Sequence, residues 1–309
     1  MESDFLAWLR QRIPTHAISP LGLSDDAALL RLSDPGRCVV SADMLMDGVD
    51  FVVGDCDPQH IGRKALAVSL SDMAAMAAQP SAAIVSVALP RKRGRPLAES
   101  LFEGLLPLAE EYEVTVAGGD TNSWDGPLVI NVTVLGEVTS KGPLLRSGAM
   151  PGDEILVTGR FGGSILGRDF LFPPRVRESL LLHRQYELHA AIDVSDGLSL
   201  DLSRLADESG CGAVVQMDAI PVSEAARQLA AQTPSGGSAL DHALCDGEDF
   251  ELIIAAPPAE AHRILAQRPL NVPLTKIGHI VEQPGLWQAR AEGKPKPLTP
   301  AGYQHRLDP

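Results

Sequence analysis

Residues 192–202 read Ile-Asp-Val-Ser-Asp-Gly-Leu-Ser-Leu-Asp-Leu, and this stretch decides the kind of fold to expect. A short apolar run ends at Ile192, and leucines follow the acidic residues at helical spacing: Leu198, Leu202 and Leu205. The pattern predicts a β-strand, a tight turn and then a helix, which is the unit of an α/β protein.

The turn between this strand and helix carries two carboxylates, and it has two interpretations. A helix N-terminus attracts one anion, so Ser195 or Asp196 can be a simple helix cap. Asp193 needs a further reason, because like charges a few Å apart repel unless a cation lies between them. Carboxylate oxygens suit magnesium that carries phosphates. From this turn alone, both interpretations stay open.

Similar acidic residues stand beside other predicted elements. Asp26 lies in a turn, Asp43 is expected where a strand ends, and Asp120 follows Gly119 in a glycine pair after a predicted strand at 114–116. Each of them alone matches an ordinary solvated turn. Several divalent metals in one cleft explain them together.

Asp72 is the most informative of these carboxylates. It is expected in the middle of an apolar helix over 61–78, where a carboxylate must be paired, hydrogen-bonded or bound to metal. A core aspartate satisfied by hydrogen bonds is the alternative to a metal ligand.

Composition excludes some classes of partner. The chain has 309 residues and a formal net charge of −14, which argues against nucleic acid and anionic membrane surfaces as partners. Residues 1–13 predict an amphipathic helix and not a signal peptide, and no apolar run is long enough to span a membrane. Four cysteines without a paired spacing predict reduced thiols. We therefore expect a cytoplasmic location.

A connector rich in glycine and proline, residues 141–153, is the predicted boundary between two domains, 1–140 and 141–309. Arg146 lies in this connector. An arginine in such a segment is usually a solvated surface residue, although its planar donors also suit a phosphate. The chain lacks the glycine-rich phosphate loops of P-loop and dinucleotide-binding proteins, so a nucleotide would bind by another route.

Seven short motifs carry a family resemblance that covers nearly the whole chain. In order they are Gly-Leu-Ser-Asp-Asp-Ala-Ala, Ser-Ala-Asp-Met-Leu-Met-Asp-Gly-Val-Asp-Phe, Ala-Val-Ser-Leu-Ser-Asp-Met-Ala-Ala-Met, Gly-Gly-Asp-Thr, Arg-Ser-Gly-Ala-Met-Pro-Gly-Asp, Asp-Val-Ser-Asp-Gly-Leu and Gly-Glu-Asp-Phe-Glu-Leu. Together they resemble the thiamine-monophosphate kinases, in the superfamily of aminoimidazole ribonucleotide synthetase.

The resemblance implies a fold and a set of site residues. The fold is a two-domain α/β (α+β) fold of the aminoimidazole ribonucleotide synthetase type. Its N-terminal domain binds metal and ATP, and its N-terminal strands form a barrel across a homodimer. The implied magnesium ligands are Asp26, Ser41, Asp43, Asp72, Asp120, Asp193 and Asp196. The implied ATP contacts are Gly119, Asp120, Arg146 and Ser195, of which Asp120 and Arg146, with Asp72, are also catalytic.

The resemblance also implies substrate contacts, at Glu248, at Tyr303 and at the position of Asp50. Two residues depart from the family pattern. Ser24 stands where glycine is usual, and Asp50 stands where histidine is usual. Because Asp50 puts a negative charge in a substrate-contacting position, we expect it to repel the substrate phosphate unless another metal or a nearby Lys or Arg compensates it.

The implied reaction is transfer of the γ-phosphoryl group of ATP to thiamine monophosphate, assisted by several magnesium ions. The acceptor phosphate is already largely deprotonated, so the aspartates are expected as metal ligands and not as bases. Two alternatives remain: another ATP-dependent synthetase of the superfamily with a different small substrate, and a nucleotide-binding regulator that has lost turnover.

Overall fold

The computed structural model describes residues 25, 27–31, 37–232 and 236–305. The predicted N-terminal helix, residues 1–13, lies outside the described residues, as do Ser24 and the predicted metal ligand Asp26. Within the described ranges, no helix is long and apolar enough to cross a membrane.

The described part of the chain contains twelve strands and eight α-helices. The strands are β1 (Ala28–Arg31), β2 (Arg37–Met46), β3 (Ala78–Pro90), β4 (Thr115–Trp124), β5 (Val129–Val138), β6 (Glu154–Thr158), β7 (Ala190–Asp193), β8 (Gly212–Val215), β9 (Leu252–Ala256), β10 (Leu274–Val281), β11 (Gly285–Gln288) and β12 (Lys296–Pro297). The helices are α1 (Pro58–Ala75), α2 (Gly94–Glu111), α3 (Arg168–Leu171), α4 (Val176–Gln185), α5 (Leu198–Glu208), α6 (Glu224–Gln232), α7 (Ala239–Cys245) and α8 (Pro258–Gln267).

These strands form two mixed sheets. The first has the order β1-β2-β5-β3-β4 and is antiparallel except where β3 meets β4. The second has the order β12-β11-β8-β10-β6-β9-β7 and is antiparallel except where β11 meets β8. The first sheet uses residues before the predicted boundary at 140/141, and the second uses residues after it. The boundary itself stays a prediction.

Helix α1 connects the two halves of the molecule. The Asp57 side chain caps its N-terminus by accepting the Gln59 N–H, and Pro58 occupies the first turn, where no N–H partner is needed. The helix packs against the first sheet and against α2. A Cβ on Gly62 would lie 1.8 Å from the Leu101 carbonyl oxygen, and a Cβ on Gly104 would lie 1.8 Å from that of Gln59. The backbones of α1 and α2 are therefore in direct contact, which only glycine permits.

One hydrophobic core spans both halves. It joins buried residues of α1 and of the first sheet to residues of α4 and β9, and Phe172 stacks on Phe250 with ring centroids 4.0 Å apart. A second core lies within the second half, between α5 and its sheet.

Three predictions about local structure are wrong in detail. Asp43 lies inside β2, paired antiparallel with Val132 of β5, because the strand continues to Met46. Gly119 and Asp120 lie within β4 and not in a loop after it, because pairing with β3 continues to Trp124. Asp72 is in the last turn of α1 and not in its middle, since the helix begins at Pro58 and ends at Ala75.

Candidate active site

The strand, turn and helix predicted from residues 192–202 are present. Strand β7 ends at Asp193, and α5 begins at Leu198 after Gly197, whose φ of 136° favours glycine. The Asp201 side chain accepts the N–H groups of Asp196 and Gly197 at 2.9 and 3.0 Å. Burial raises the pKa of Asp201 to about 7, and the nearby Asp196 carboxylate adds to the rise. The helix itself therefore fixes the turn, through Asp201.

Three of the predicted metal ligands meet at the C-terminal end of α1. The Ser71 hydroxyl donates to Asp193 at 2.5 Å, so the end of β7 lies against this helix. Ser69 donates to Asp43 at 2.6 Å, so β2 does as well. The carboxylates of Asp43, Asp72 and Asp193, from β2, α1 and β7, are thereby gathered at one end of one helix.

Ser41 connects two of these carboxylates. Its buried hydroxyl lies 3.2 Å from a carboxylate oxygen of Asp43 and makes a short contact with Asp72. One hydroxyl proton serves only one acceptor at a time. Asp43 has a second donor, the Ser69 hydroxyl, so the Ser41 proton is available to Asp72. This arrangement keeps two negative side chains close together, which a cation between them would stabilise.

The donor set fits magnesium, although no three carboxylate, histidine or cysteine side chains in the described ranges lie close enough to enclose one ion. Magnesium usually binds one or two carboxylates and completes its coordination with water and substrate phosphates. Asp43, Asp72 and Asp193, with the Ser41 hydroxyl, supply hard oxygen donors in that form. They would hold magnesium together with a phosphate and not as a closed cage.

Asp196, another predicted metal ligand, is paired with Arg204. The Arg204 guanidinium donates to Asp196 and also to Asp201, the latter at 2.7 Å. Burial disfavours the charged guanidinium, but the two carboxylates outweigh burial and raise the pKa of Arg204. Arg146 lies close enough to oppose that rise. Arg146 and Arg204 therefore lie near each other beside this turn, and guanidinium donors suit a phosphate.

Arg146, whose role as solvated residue or phosphate ligand was left open, is half-buried between the halves. Its N–H donates to a carboxylate oxygen of Asp25 at 3.1 Å, and its carbonyl accepts the Ser209 hydroxyl at 2.8 Å. These two bonds fix the backbone of the connector beside α5.

Gly119 and Asp120 are not brought to this cluster. Their strand, β4, is at the edge of the first sheet, and its register aligns Gly119 with Val85, Val132 and Asp43 across three strand spacings, about 14 Å. Asp120 is exposed, and its carboxylate accepts the neighbouring Thr121 N–H. Their roles at ATP and metal stay predictions.

Two of the predicted substrate contacts, Glu248 and Tyr303, are hydrogen-bonded through their backbones to the same turn. The Glu248 N–H donates to the Ser195 carbonyl at 2.6 Å, and the Tyr303 N–H donates to the Asp196 carbonyl at 2.8 Å. Glu248 has a positive φ of 62°, which is uncommon outside glycine and is typical of functional turns. The Asp50 carboxylate accepts the Met46 N–H at 2.7 Å, and the Asp50 carbonyl oxygen accepts a hydrogen bond from the Lys64 ammonium group at 3.1 Å.

Sequence reasoning missed three residues of this region: Lys64, Asp201 and Arg204. Lys64 is fully buried, and its ammonium group contacts Glu248 at 2.6 Å and Asp169 at 3.2 Å. The sequence did contain an indication of Lys64, because a charged residue in a predominantly apolar helix is unusual, and Asp72 was singled out for the same reason. Arg204 and Asp201 had a weaker signal, as an ordinary charge pair three residues apart on α5.

Family models match both halves of the chain. The model described as AIR synthase related protein, N-terminal domain, matches residues 24–138, and the corresponding C-terminal domain model matches residues 149–286. The fold and the acidic cluster therefore define a protein of the AIR synthase related class.

Comparison with individual relatives narrows this class. A thiamine-monophosphate kinase of Rhodopirellula baltica is 43% identical over 99% of this chain and 97% of its own, and one of Bacillus subtilis is 31% identical over 91% and 92%. The crystal structure of the thiamine-monophosphate kinase of Stenotrophomonas maltophilia is 35% identical, covers 92% of this chain and 93% of its own, and has a TM-score of 0.72. The chain belongs to the thiamine-monophosphate kinase family.

A further structure resembles the chain in fold. It is AaThiL complexed with AMPPCP and TMP, which is 24% identical, covers 98% of this chain and 96% of its own, and has a TM-score of 0.77.

Proposed function

We propose that this chain transfers the γ-phosphoryl group of ATP to thiamine monophosphate and releases ADP and thiamine diphosphate. The observation that carries this proposal is the 43% identity to a thiamine-monophosphate kinase over nearly the whole of both chains. A relative of the same fold is known in complex with AMPPCP and TMP, an ATP analogue and this substrate. The acidic cluster at the end of α1 supports the same reaction.

The transfer needs position more than acid–base chemistry. An oxygen of the substrate phosphate attacks the γ-phosphorus, a new P–O bond forms, and the bond to the β-phosphate oxygen breaks as ADP leaves. The acceptor oxygen is already largely deprotonated, so no side chain has to remove a proton. The obstacle is the repulsion between two polyanions that must meet in line.

The chain's residues would lower this repulsion from two sides. Asp43, Asp72 and Asp193 would hold magnesium, which when bound neutralises phosphate charge. Arg146 and Arg204 would place guanidinium donors near the phosphates, and Ser195 lies on the turn between β7 and α5. Asp26 and Asp196 are proposed as further magnesium ligands. Asp196 would have to exchange Arg204 for the ion.

We also propose a homodimer that uses β4. This strand is at the edge of the first sheet, and all its residues except Val116 are exposed. A ten-residue exposed edge strand is a surface that proteins normally cover. A second copy of the chain would extend this sheet and bring Gly119 and Asp120 into a buried setting. The cytoplasmic location and the domain boundary at 140/141 also stay predictions.

The test is an assay of ADP release with thiamine monophosphate and with a panel of other phosphorylated metabolites. We expect turnover with thiamine monophosphate alone, and separation of the products by chromatography identifies thiamine diphosphate. Titration with EDTA should abolish turnover, and added magnesium should restore it. Full turnover after complete removal of metal would contradict the role of the acidic cluster. ADP release with a different metabolite would contradict the substrate.

A further inference from the structure

Ser209 directly follows the last residue of α5, and its single hydroxyl group forms three hydrogen bonds. The hydroxyl oxygen accepts the N–H groups of Gly148 and Ala149, both at 3.1 Å, and the hydroxyl proton is donated to the Arg146 carbonyl oxygen at 2.8 Å. A hydroxyl has one proton and two acceptor lone pairs, so its hydrogen-bonding capacity is fully used. All three of these bonds go to the connector between the two halves.

The connector also lies against the start of β7. The Ala191 N–H donates to the Leu145 carbonyl oxygen at 3.1 Å. A Cβ on Gly148 would lie 2.3 Å from the His189 carbonyl oxygen, an approach that a larger residue would prevent. The connector therefore contacts both of the elements that flank the turn between β7 and α5.

The backbone of Arg146 is anchored on both of its sides. Its N–H donates to an Asp25 carboxylate oxygen at 3.1 Å, while its carbonyl oxygen accepts the Ser209 proton. Its side chain lies close enough to Arg204 of α5 for the two positive charges to interact. Because like charges repel, the position of Arg146 beside Arg204 depends on how firmly this backbone is anchored.

Ser209 belongs to the same rigid element as Arg204. Its N–H donates to the Leu205 carbonyl oxygen at 3.1 Å, which continues the hydrogen bonding of α5 by one residue. The Asp201 carboxylate of this helix fixes the turn by accepting the Asp196 N–H. One helix therefore carries one of the two arginines, the carboxylate that fixes the turn, and the hydroxyl group that anchors the other arginine.

We infer that Ser209 is a positioning residue for the ATP phosphates: it holds the backbone of Arg146 so that the Arg146 and Arg204 guanidinium groups reach the same polyphosphate. The inference rests on the proposed function, in which these two arginines lie near the phosphates. In this role Ser209 does not contact the phosphates itself. It acts through Arg146, because guanidinium donors bind a phosphate strongly only in the correct geometry.

Ser209→Ala tests this inference, because it removes only the hydroxyl group. Ser209 is partly exposed, so water can reach the Gly148 and Ala149 N–H groups in the variant, and we expect the variant to fold. Isothermal titration in the presence of magnesium gives the dissociation constants of AMPPCP and of thiamine monophosphate. We expect the constant for AMPPCP to rise about tenfold, as follows from misplacing one charged hydrogen-bond donor. The constant for thiamine monophosphate should stay unchanged.

Further variants make the result specific. Ser203→Ala removes a hydroxyl group from the same helix, at a residue that faces Asp207, and should leave both constants unchanged. Ser209→Thr keeps the hydroxyl group and should bind AMPPCP as the wild type does. In a chain that already carries Arg146→Ala, the change Ser209→Ala should have no further effect on AMPPCP, since the side chain through which Ser209 acts is then absent.

Melting temperatures show whether each variant is folded. If the alanine variant is unfolded, Ser209→Cys takes its place, because a thiol of similar size is only a weak donor and acceptor. The same rise in the constant for AMPPCP is then expected for the cysteine variant.

The outcomes separate this inference from the proposed function. If the wild-type chain phosphorylates thiamine monophosphate but Ser209→Ala binds AMPPCP as tightly as the wild type, the inference is wrong and the function stands. Equal weakening of both ligands, or a further loss in the Arg146→Ala chain, would also overturn the inference. If the wild-type chain binds AMPPCP but does not phosphorylate thiamine monophosphate, the function fails, and the constants for AMPPCP still decide the role of Ser209. A wild-type chain that does not bind AMPPCP would overturn both.

Discussion

Asp72 has two distinct physical roles, and one substitution separates them. Asp72 lies in the last turn of α1 and accepts a hydrogen bond from Ser41 of β2. That bond would satisfy an aspartate with a purely structural role. As a magnesium ligand, it is needed for its charge.

We therefore expect Asp72→Asn to lower turnover about 100-fold or more while the melting temperature changes by no more than about 3 °C. The measurements are the rate of ADP release and a thermal melt of the same preparation. Asp218→Asn, at an exposed residue, is the matched control. A large fall in melting temperature with near-normal turnover would show that Asp72 is a structural hydrogen-bonding residue.

Residue types and their order predicted Asp43, Asp72 and Asp193 as candidates, and the structure brings these three together. What the sequence does not show is how they are held, because Ser41, Ser69 and Ser71 are common residues whose roles depend on which strand meets which helix. Lys64 was missed for a related reason. Its partners Asp169 and Glu248 are more than 100 residues away in the chain, so no local pattern announces the ion pairs.

At the scale of elements, the glycine-rich loop after β6 is fixed by the irregular segment that precedes β9. The fully buried Asp249 accepts the Gly162 N–H through both oxygens, at 2.9 and 2.8 Å, and pairs with Arg168 at 3.2 Å. Burial raises the pKa of Asp249 to about 8, despite these favourable contacts. Asp249 and Glu248 belong to the same short segment, so the loop and this predicted substrate contact share a support.

This raised pKa predicts how stability depends on pH. The folded chain keeps the Asp249 proton up to about pH 8, whereas the unfolded chain loses it near the ordinary aspartate pKa of 3.8. The stability contributed by the protonated group is therefore complete below about pH 4 and is lost progressively as the pH rises to about 8.

Asp249→Asn removes this titration and keeps an oxygen for the Gly162 N–H. We expect the melting temperature of the wild-type chain to fall relative to that of the variant between pH 5 and pH 8. The corresponding loss in the free energy of unfolding should amount to a few kcal/mol at most, at about 1.4 kcal/mol per pKa unit. Thermal melts at several pH values, with Asp218→Asn as control, provide the test. A constant difference at every pH would mean that Asp249 does not change its protonation state in this range.

Elements differ in how well the sequence predicts them. The strand, turn and helix around residues 192–202 were predicted correctly, because an apolar run, a turn with glycine and leucines at helical spacing follow one another in the sequence. Strand β4 was predicted to end before its glycines, yet it continues to Trp124, since pairing with β3 outweighs the low strand propensity of Gly118 and Gly119. Non-local pairing of this kind is not visible in one sequence.

At the scale of the whole molecule, the proposed dimer predicts a change of mass on mutation. Replacing Ala117 and Thr121 of β4 with lysine would place positive charges on the sheet edge that the second copy would cover. Charged side chains on an edge strand disfavour the addition of another strand. We expect the double substitution Ala117→Lys and Thr121→Lys to convert a dimer to a monomer in sedimentation experiments. The control, Gln228→Lys and Gln232→Lys on exposed positions of α6, adds the same charge elsewhere and should sediment as the wild type does. A wild-type chain that sediments as a monomer would contradict the proposed dimer.

The glycine contact between α1 and α2 has a consequence for reading genetic variation. Gly62 and Gly104 touch no site residue, but α1 carries Lys64 near its middle and Ser69, Ser71 and Asp72 near its end. A methyl group at either glycine would push the two helices apart by more than an ångström, and it would displace Lys64 and the acidic cluster at the end of α1 together. Missense changes at these two glycines would therefore abolish activity as active-site changes do. A survey of tolerated substitutions would show both glycines as intolerant, although neither of them contacts a site residue.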